Sequence, residues 1–135
     1  MRLEGKVFAV DFDGTCVTHQ FPEVGTDIGA QGVLRRIVDE GGKLILWTMR
    51  SDQYLQEAVE WFEKNHLPLY GVQSNPTQVE WTKSPKAYAH CYIDDAALGC
   101  PLAIPEDTDK RPYVDWEKVE MLIFPVYGEG EVESE

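Results

Sequence analysis

Short apolar runs that end abruptly on polar residues recur along the chain, separated by segments whose apolar residues fall three and four apart. Val7-Phe-Ala-Val10 is β-branched and aromatic and lies between Gly5 and Gly14, which predicts a buried strand. Lys43-Leu-Ile-Leu-Trp-Thr48 repeats the pattern. Pro68-Leu-Tyr-Gly-Val72 is a weaker third run, Ala89-His-Cys-Tyr-Ile93 a fourth and Leu102-Ala-Ile104 a fifth. Between them, Val33, Leu34, Ile37 and Val38 mark an amphipathic helix that Gly41-Gly42 closes. Ser51-Asp52 is placed to cap a second helix with a stripe of Leu55, Ala58, Val59 and Phe62. Asp115 is placed to cap a last one carrying Trp116, Val119, Leu122 and Ile123. Alternating strands and helices predict a single doubly wound, Rossmann-like α/β domain over residues 1–127, its mainly parallel sheet covered on both faces.

Two connections break the rhythm. Residues 16–27 contain Phe21-Pro-Glu-Val-Gly25 and predict an irregular excursion or small hairpin; residues 74–85 have no clear period, carry two prolines and predict a loop. No internal repeat is visible.

Composition narrows the class. A chain of 135 residues, 43% of them hydrophobic, has material for one core. Its apolar runs are too short to span a membrane, and its N-terminus enters a strand without a leader-like segment. Cys16, Cys91 and Cys100 are odd in number and lack a C-x-x-C spacing, which argues for reduced thiols and a cytoplasmic protein. The net charge of −12 argues against broad binding to nucleic acid or anionic membranes while leaving room for a local basic patch. Residues 128–135 carry four glutamates with small spacers and read as a disordered acidic tail.

The polar strand ends supply the chemistry. Asp11 and Asp13 follow the first strand, and period-two geometry projects both to one side, away from Phe12. A strand cap and turn would use the same residues. Thr48 ends the second strand, Asp94-Asp95 the fourth, and Lys86 stands eight residues before Asp94. In a doubly wound sheet these ends meet at one edge, where such folds bind ligands. Two unit charges 4 Å apart repel by roughly 4 kcal/mol at an effective dielectric near 20. A hard divalent cation relieves that, and an all-oxygen set suits Mg²⁺ better than Zn²⁺. A lysine and a threonine beside it suit an anionic group, so the set points to phosphoryl transfer.

Asp-x-Asp-Gly-Thr at 11–15, Thr48 after its strand, Lys86, and Asp94-Asp95 after Tyr92-Ile93 together resemble the four ordered motifs of the haloacid dehalogenase superfamily of phosphohydrolases. More narrowly, the chain looks like the small bacterial and phage members without a cap domain. The resemblance spans residues 7–95. It implies Asp11 as the nucleophile that forms an aspartyl-phosphate and Asp13 as general acid and base. It implies Mg²⁺ on the Asp11 side chain, the Asp13 carbonyl and the Asp94 side chain, with Asp95 a ligand through water or an orienting group. Thr48 and Lys86 would hold phosphoryl oxygens, and amides near Gly14 and Met49 would complete an anion cradle. An Asp at position 13 favours phosphate ester hydrolysis or phosphate transfer over dehalogenase, phosphonatase or ATPase chemistry. Receiver domains use similar residues in another order.

Neither gap between motifs holds a cap, so a large phosphorylated substrate, a second copy of the chain in a homo-oligomer, or the local loops must close the site. Arg50 is placed either to clamp a second anionic group or to pair with Asp52. His19 reads more readily as an exposed surface histidine than as a substrate contact, and His66 and His90 as structural. Trp81 reads as a loop anchor, and Trp47, Trp61 and Trp116 as core. Cys16 has no basic neighbour in sequence to make it a thiolate. Residues 96–100 add no further acid. The hydrolase reading therefore stands beside two others, a phosphotransferase using the same intermediate and a Mg²⁺- and phosphate-binding regulatory module without turnover.

Overall fold

In the computed structural model, which describes residues 3–106 and 110–127, strands β1 (Val7–Val10), β2 (Lys43–Leu46), β3 (Gly71–Val72) and β4 (Cys91–Ile93) form a parallel sheet in the order β3-β2-β1-β4. Val10 pairs with Leu46 on one side and with Ile93 on the other, so three strands end at one level. Helices α1 (Ala30–Asp39) and α2 (Asp52–Lys64) make the crossovers from β1 to β2 and from β2 to β3. The connection from β3 to β4 runs back past both strands to the far side of β1. The doubly wound, mainly parallel α/β domain expected from the alternation is the fold observed.

Side chains sort by strand parity. Phe8, Val10, Leu44, Leu46 and Ile93 enter one large core with α1, α2 and α3 (Trp116–Tyr127). Val7, Ala9 and Ile45 face the other way, against Ala87, Trp47, Tyr70 and Ala89. Two crossovers in one direction place both helices on one face, and the reversed step to β4 crosses the other. That return carries only a single 3₁₀ turn, Gln78–Glu80, so the second face is covered by a loop where a helix is usual. The turn is anchored from inside: the buried Gln78 accepts from the Tyr88 N–H (2.7 Å) and donates to the Lys86 carbonyl (2.8 Å).

The helix ends follow local chemistry. Asp27 accepts from the Gly29 and Gln31 N–H groups at the start of α1, and Gly41, at φ 94°, ends it. Asp115 Oδ1 accepts the Lys118 N–H and caps α3 as expected. Ser51 occupies the cap position of α2 without a side-chain bond; its carbonyl, not its hydroxyl, takes the Tyr54 and Leu55 amides.

Two expectations need correction. The fifth run, β5 (Leu102–Ala103), pairs antiparallel with β6 (Tyr113–Val114) in a separate ribbon and does not join the main sheet. Leu122 is 59% exposed, and Phe124 takes the inward place beside Val119 and Ile123. The acidic tail expected at 128–135 lies outside the described residues. Among those described, no helix is long and apolar enough to cross a membrane.

Candidate active site

Parallel strands align their carboxyl ends, and the neighbours of β1 lie on opposite sides of the order reversal. The residues after β1, β2 and β4 therefore meet at the sheet's switch point. Backbone bonds hold the level: the Asp11 N–H donates to Ile93 O (3.0 Å) and the Trp47 N–H to Val10 O (2.9 Å). An open cleft of about 390 Å³ lies there, lined by Asp11, Trp47, Thr48, Met49, Gln73 and Asp94.

Asp11, Asp94 and Asp95 each present a carboxylate oxygen, all within 4.8 Å of one another, a donor set able to hold a hard divalent cation. The fully buried Thr15 organises two of them. Its hydroxyl lies 2.8 Å from Asp11 Oδ2, to which it donates, and accepts the Asp95 N–H at 3.0 Å. With its one proton committed to Asp11, the hydroxyl has none for Asp95 Oδ1, 3.3 Å away. Burial, opposed by the Thr15 hydrogen bond and reinforced by the Asp94 charge, pushes the Asp11 carboxyl up to about 7. A cation between these groups would reverse that cost, and the all-oxygen, partly buried set fits Mg²⁺.

Asp13 stands outside this cluster. Arg50, 3% exposed, grips it through a two-bond fork, Nε to Oδ2 and Nη2 to Oδ1, both 2.8 Å. The other guanidinium protons go to the carbonyls of Glu23, Tyr54 and Pro22. All five donors are thus used. Arg50 neither pairs with Asp52 nor stands free to clamp an anion, because α2 begins by turning Asp52 into the left-handed region while Arg50 folds beneath residues 22–23.

Gln73, which the sequence reading passed over, holds the second strand end. Its Oε1 accepts the Thr48 N–H (2.8 Å), its Nε2 donates to Thr48 O (2.6 Å), and the Thr48 hydroxyl accepts the Arg50 N–H (3.1 Å). The signal was positional: Gln73 follows β3 as Thr48 follows β2. Among the described residues the Met49 N–H has no hydrogen-bond partner and the residue is 97% exposed, which makes that amide a candidate donor to an anion. Gly14 departs from expectation. Its N–H is spent on Val17 O (2.7 Å), and its role is steric: at φ 80°, a Cβ would run into the His19 imidazole and within 2.8 Å of Asp95 Oδ2.

His19 is not the exposed surface residue expected. Its ring lies over Gly14 with Nε2 3.1 Å from Asp95 Oδ2, at an angle that leaves Nε2 without a hydrogen bond. Lys86 is not brought into the cleft lining. It is exposed, with its ammonium 5.3 Å from the Tyr92 ring centroid on the second face of the sheet. His90 is structural as expected, accepting the Val7 N–H at Nδ1 (3.0 Å). Trp81, 64% exposed, packs edge-on against Tyr88. Trp61 and Trp116 are core, and Trp116 donates its indole N–H to Thr15 O (2.6 Å). Burial pushes the Cys16 thiol up and leaves it inert.

No family model matches the chain, and no curated protein matches it. Among solved structures it is similar to a conserved protein coded by a locus from Bacteroides thetaiotaomicron. The two are 31% identical, the match covers 96% of this chain and 98% of that one, and the TM-score is 0.72.

Proposed function

The chain belongs to one family with that conserved Bacteroides thetaiotaomicron protein, and we propose that it is a Mg²⁺-dependent phosphohydrolase of the haloacid dehalogenase type, acting on a phosphate monoester through an aspartyl-phosphate on Asp11. The observation that carries this reading is the Asp11, Asp94 and Asp95 cluster beside the Thr48 cleft. An acidic group pushed up to about 7 by burial and a neighbouring charge is poorly placed as an isolated carboxylate and well placed as a cation ligand.

In this scheme an Asp11 oxygen attacks phosphorus as the bond to the ester oxygen breaks, and the leaving oxygen takes a proton from Asp13. Water then attacks phosphorus, Asp13 takes its proton, and phosphate leaves as the Asp11 carboxylate is restored. Mg²⁺, held by Asp11, Asp94, Asp95 and the Asp13 carbonyl, would neutralise charge on the transferring group. Thr48, fixed by Gln73, and the Met49 N–H meet phosphoryl oxygens. Lys86 must swing from the Tyr92 ring to join them. The substrate is phosphorylated, and we take the cytoplasm as its compartment, where the free Cys16, Cys91 and Cys100 stay reduced.

The Arg50 fork favours a second reading, a Mg²⁺- and phosphate-binding module without turnover. The fork takes one lone pair on each Asp13 oxygen, which leaves only the outer lone pairs to carry the proton that acid catalysis needs. Hydrolysis of an aryl phosphate by the wild type and by Asp11→Asn, each with Mg²⁺ and with chelator, separates the two. Turnover that needs both Mg²⁺ and Asp11 supports the enzyme. Beryllium fluoride trapped on Asp11 without turnover of any ester supports the module, and activity retained by Asp11→Asn rejects the nucleophile.

A further inference from the structure

A second polar cavity, about 410 Å³, is lined by His19, whose Nε2 lies 3.1 Å from Asp95 Oδ2 of the acidic cluster. Lys110 and Arg111 line it together with His19, Thr26 and Tyr113. Two adjacent cations facing one cavity stand out on a chain of net charge −12. Its position is set by the fold: the β6 Val114 N–H bonds Gly14 O (3.0 Å), which draws residues 110–113 up to the excursion after β1.

We propose that this cavity binds a second anionic group on the leaving part of the substrate, and so selects esters that carry one. The inference rests on the phosphohydrolase reading. In an in-line displacement the leaving oxygen departs opposite Asp11, where Asp13 protonates it. The Asp13 carboxylate shares Arg50 with the Glu23 and Pro22 carbonyls, so the leaving part lies against the excursion that contains residues 22–23. Thr18, His19, Gln20 and Thr26 of that excursion line the cavity together with Lys110 and Arg111. A phosphate or carboxylate carried on the leaving part meets the Lys110 and Arg111 side of the cavity, and an uncharged leaving group gains nothing from those two cations. With no cap domain over the site, this side supplies the selectivity.

The test compares propyl phosphate with two doubly anionic probes, propane-1,3-diyl bisphosphate and 3-phosphooxypropanoate. Binding is measured by calorimetry in Asp11→Asn with Mg²⁺, and phosphate release in the wild type. The expected result is about tenfold tighter binding of at least one doubly anionic probe over propyl phosphate, with the better of the two identifying the group recognised. Lys110→Ala/Arg111→Ala should bring that ratio close to one, while Lys64→Ala, at the end of α2, should leave it unchanged and so exclude a general charge effect. Equal affinities, no binding of any probe, or a ratio that survives the double substitution overturns the inference. Failure of the hydrolase reading shows separately, as absence of phosphate release from all three esters in the wild type.

Discussion

Arg50 and Asp13 are locked together by two parallel 2.8 Å hydrogen bonds, and the same guanidinium ties down three backbone carbonyls from the excursion and from α2. One side chain thus joins the loop after β1, the loop after β2 and the first turn of α2. The fork needs the planar guanidinium. A lysine offers a point charge that meets one Asp13 oxygen at a time and leaves several carbonyls without donors. Arg50→Lys is expected to lower stability by about 3 kcal/mol, and Arg50→Met by at least as much, because a half-buried carboxylate loses its partner. Urea unfolding checks both. A loss under ~1 kcal/mol would mean that the network can be replaced by water.

Asp11 carries the opposite prediction. Its carboxyl is raised from the ordinary carboxylate range to about 7, so the folded protein holds that proton more tightly than the unfolded chain. The associated stability is fully present below about pH 4 and is lost as the pH rises through about 7. Without divalent cations, Asp11→Asn should therefore melt higher than the wild type at about pH 8, by about 4 °C, which corresponds to ~1 kcal/mol in a domain of this size. The difference should shrink towards about pH 5. A variant less stable than the wild type at about pH 8 would show that Asp11 carries a favourable charge in the metal-free protein.

Magnesium should reverse the order. Proton and cation compete for Asp11, so the Mg²⁺-induced rise in melting temperature is expected to be largest above about pH 7 and to fade below it. Asp94→Asn should remove most of that rise, since Asp94 contributes both a ligand oxygen and the charge that raises Asp11. Thermal melts across the pH range, with Mg²⁺ and with chelator, read this directly. A shift that ignores pH would place the cation elsewhere.

Gly14 tests the wall between the acidic cluster and the cationic cavity. Alanine there must adopt a left-handed backbone and displace the imidazole that covers it. The expected cost is about 2 kcal/mol from the backbone and the lost packing together. His19→Ala in the same background should recover part of it by vacating the space. Denaturant unfolding of the two single variants and the double variant forms the cycle, and additive effects would show that the two residues do not meet.

The sequence pattern was enough to place β1, β2, β4 and the helices, because those elements bury a regular stripe and periodicity reports burial. It also located the polar strand ends, since Asp11, Thr48 and Asp94 each follow an apolar run whose end is unmistakable. What it could not reach were contacts made across the chain. Arg50 meets a partner 37 positions away, where spacing offered only its neighbour Asp52 or a substrate anion. Gln73, two-handed on Thr48, sits beyond a strand of two residues too short to announce its own end. His19 lies in an excursion without period, where only the fold brings it to Asp95. Lys86 shows the converse, a motif position whose side chain rests on Tyr92 outside the cleft lining.

Gln73 offers a way to ask whether the backbone of Thr48 is held for catalysis. Both of its amide atoms are spent on the Thr48 backbone, and its own φ of 62° is strained for a residue with a side chain. Nothing in general packing asks for this: the residue is half-buried on the edge side of the sheet, and a small residue could fill the turn. Gln73→Gly should relieve the strain while deleting both bonds, so stability should change by no more than ~1 kcal/mol. If Thr48 and the Met49 N–H orient the phosphoryl group, the same change should lower kcat for an aryl phosphate by about tenfold or more, since misplaced donors cost rate. Gln73→Glu keeps the acceptor for the Thr48 N–H and loses the donor, and should fall between. Equal activity of wild type and Gln73→Gly, with both folded, would show that Thr48 is positioned by its strand alone.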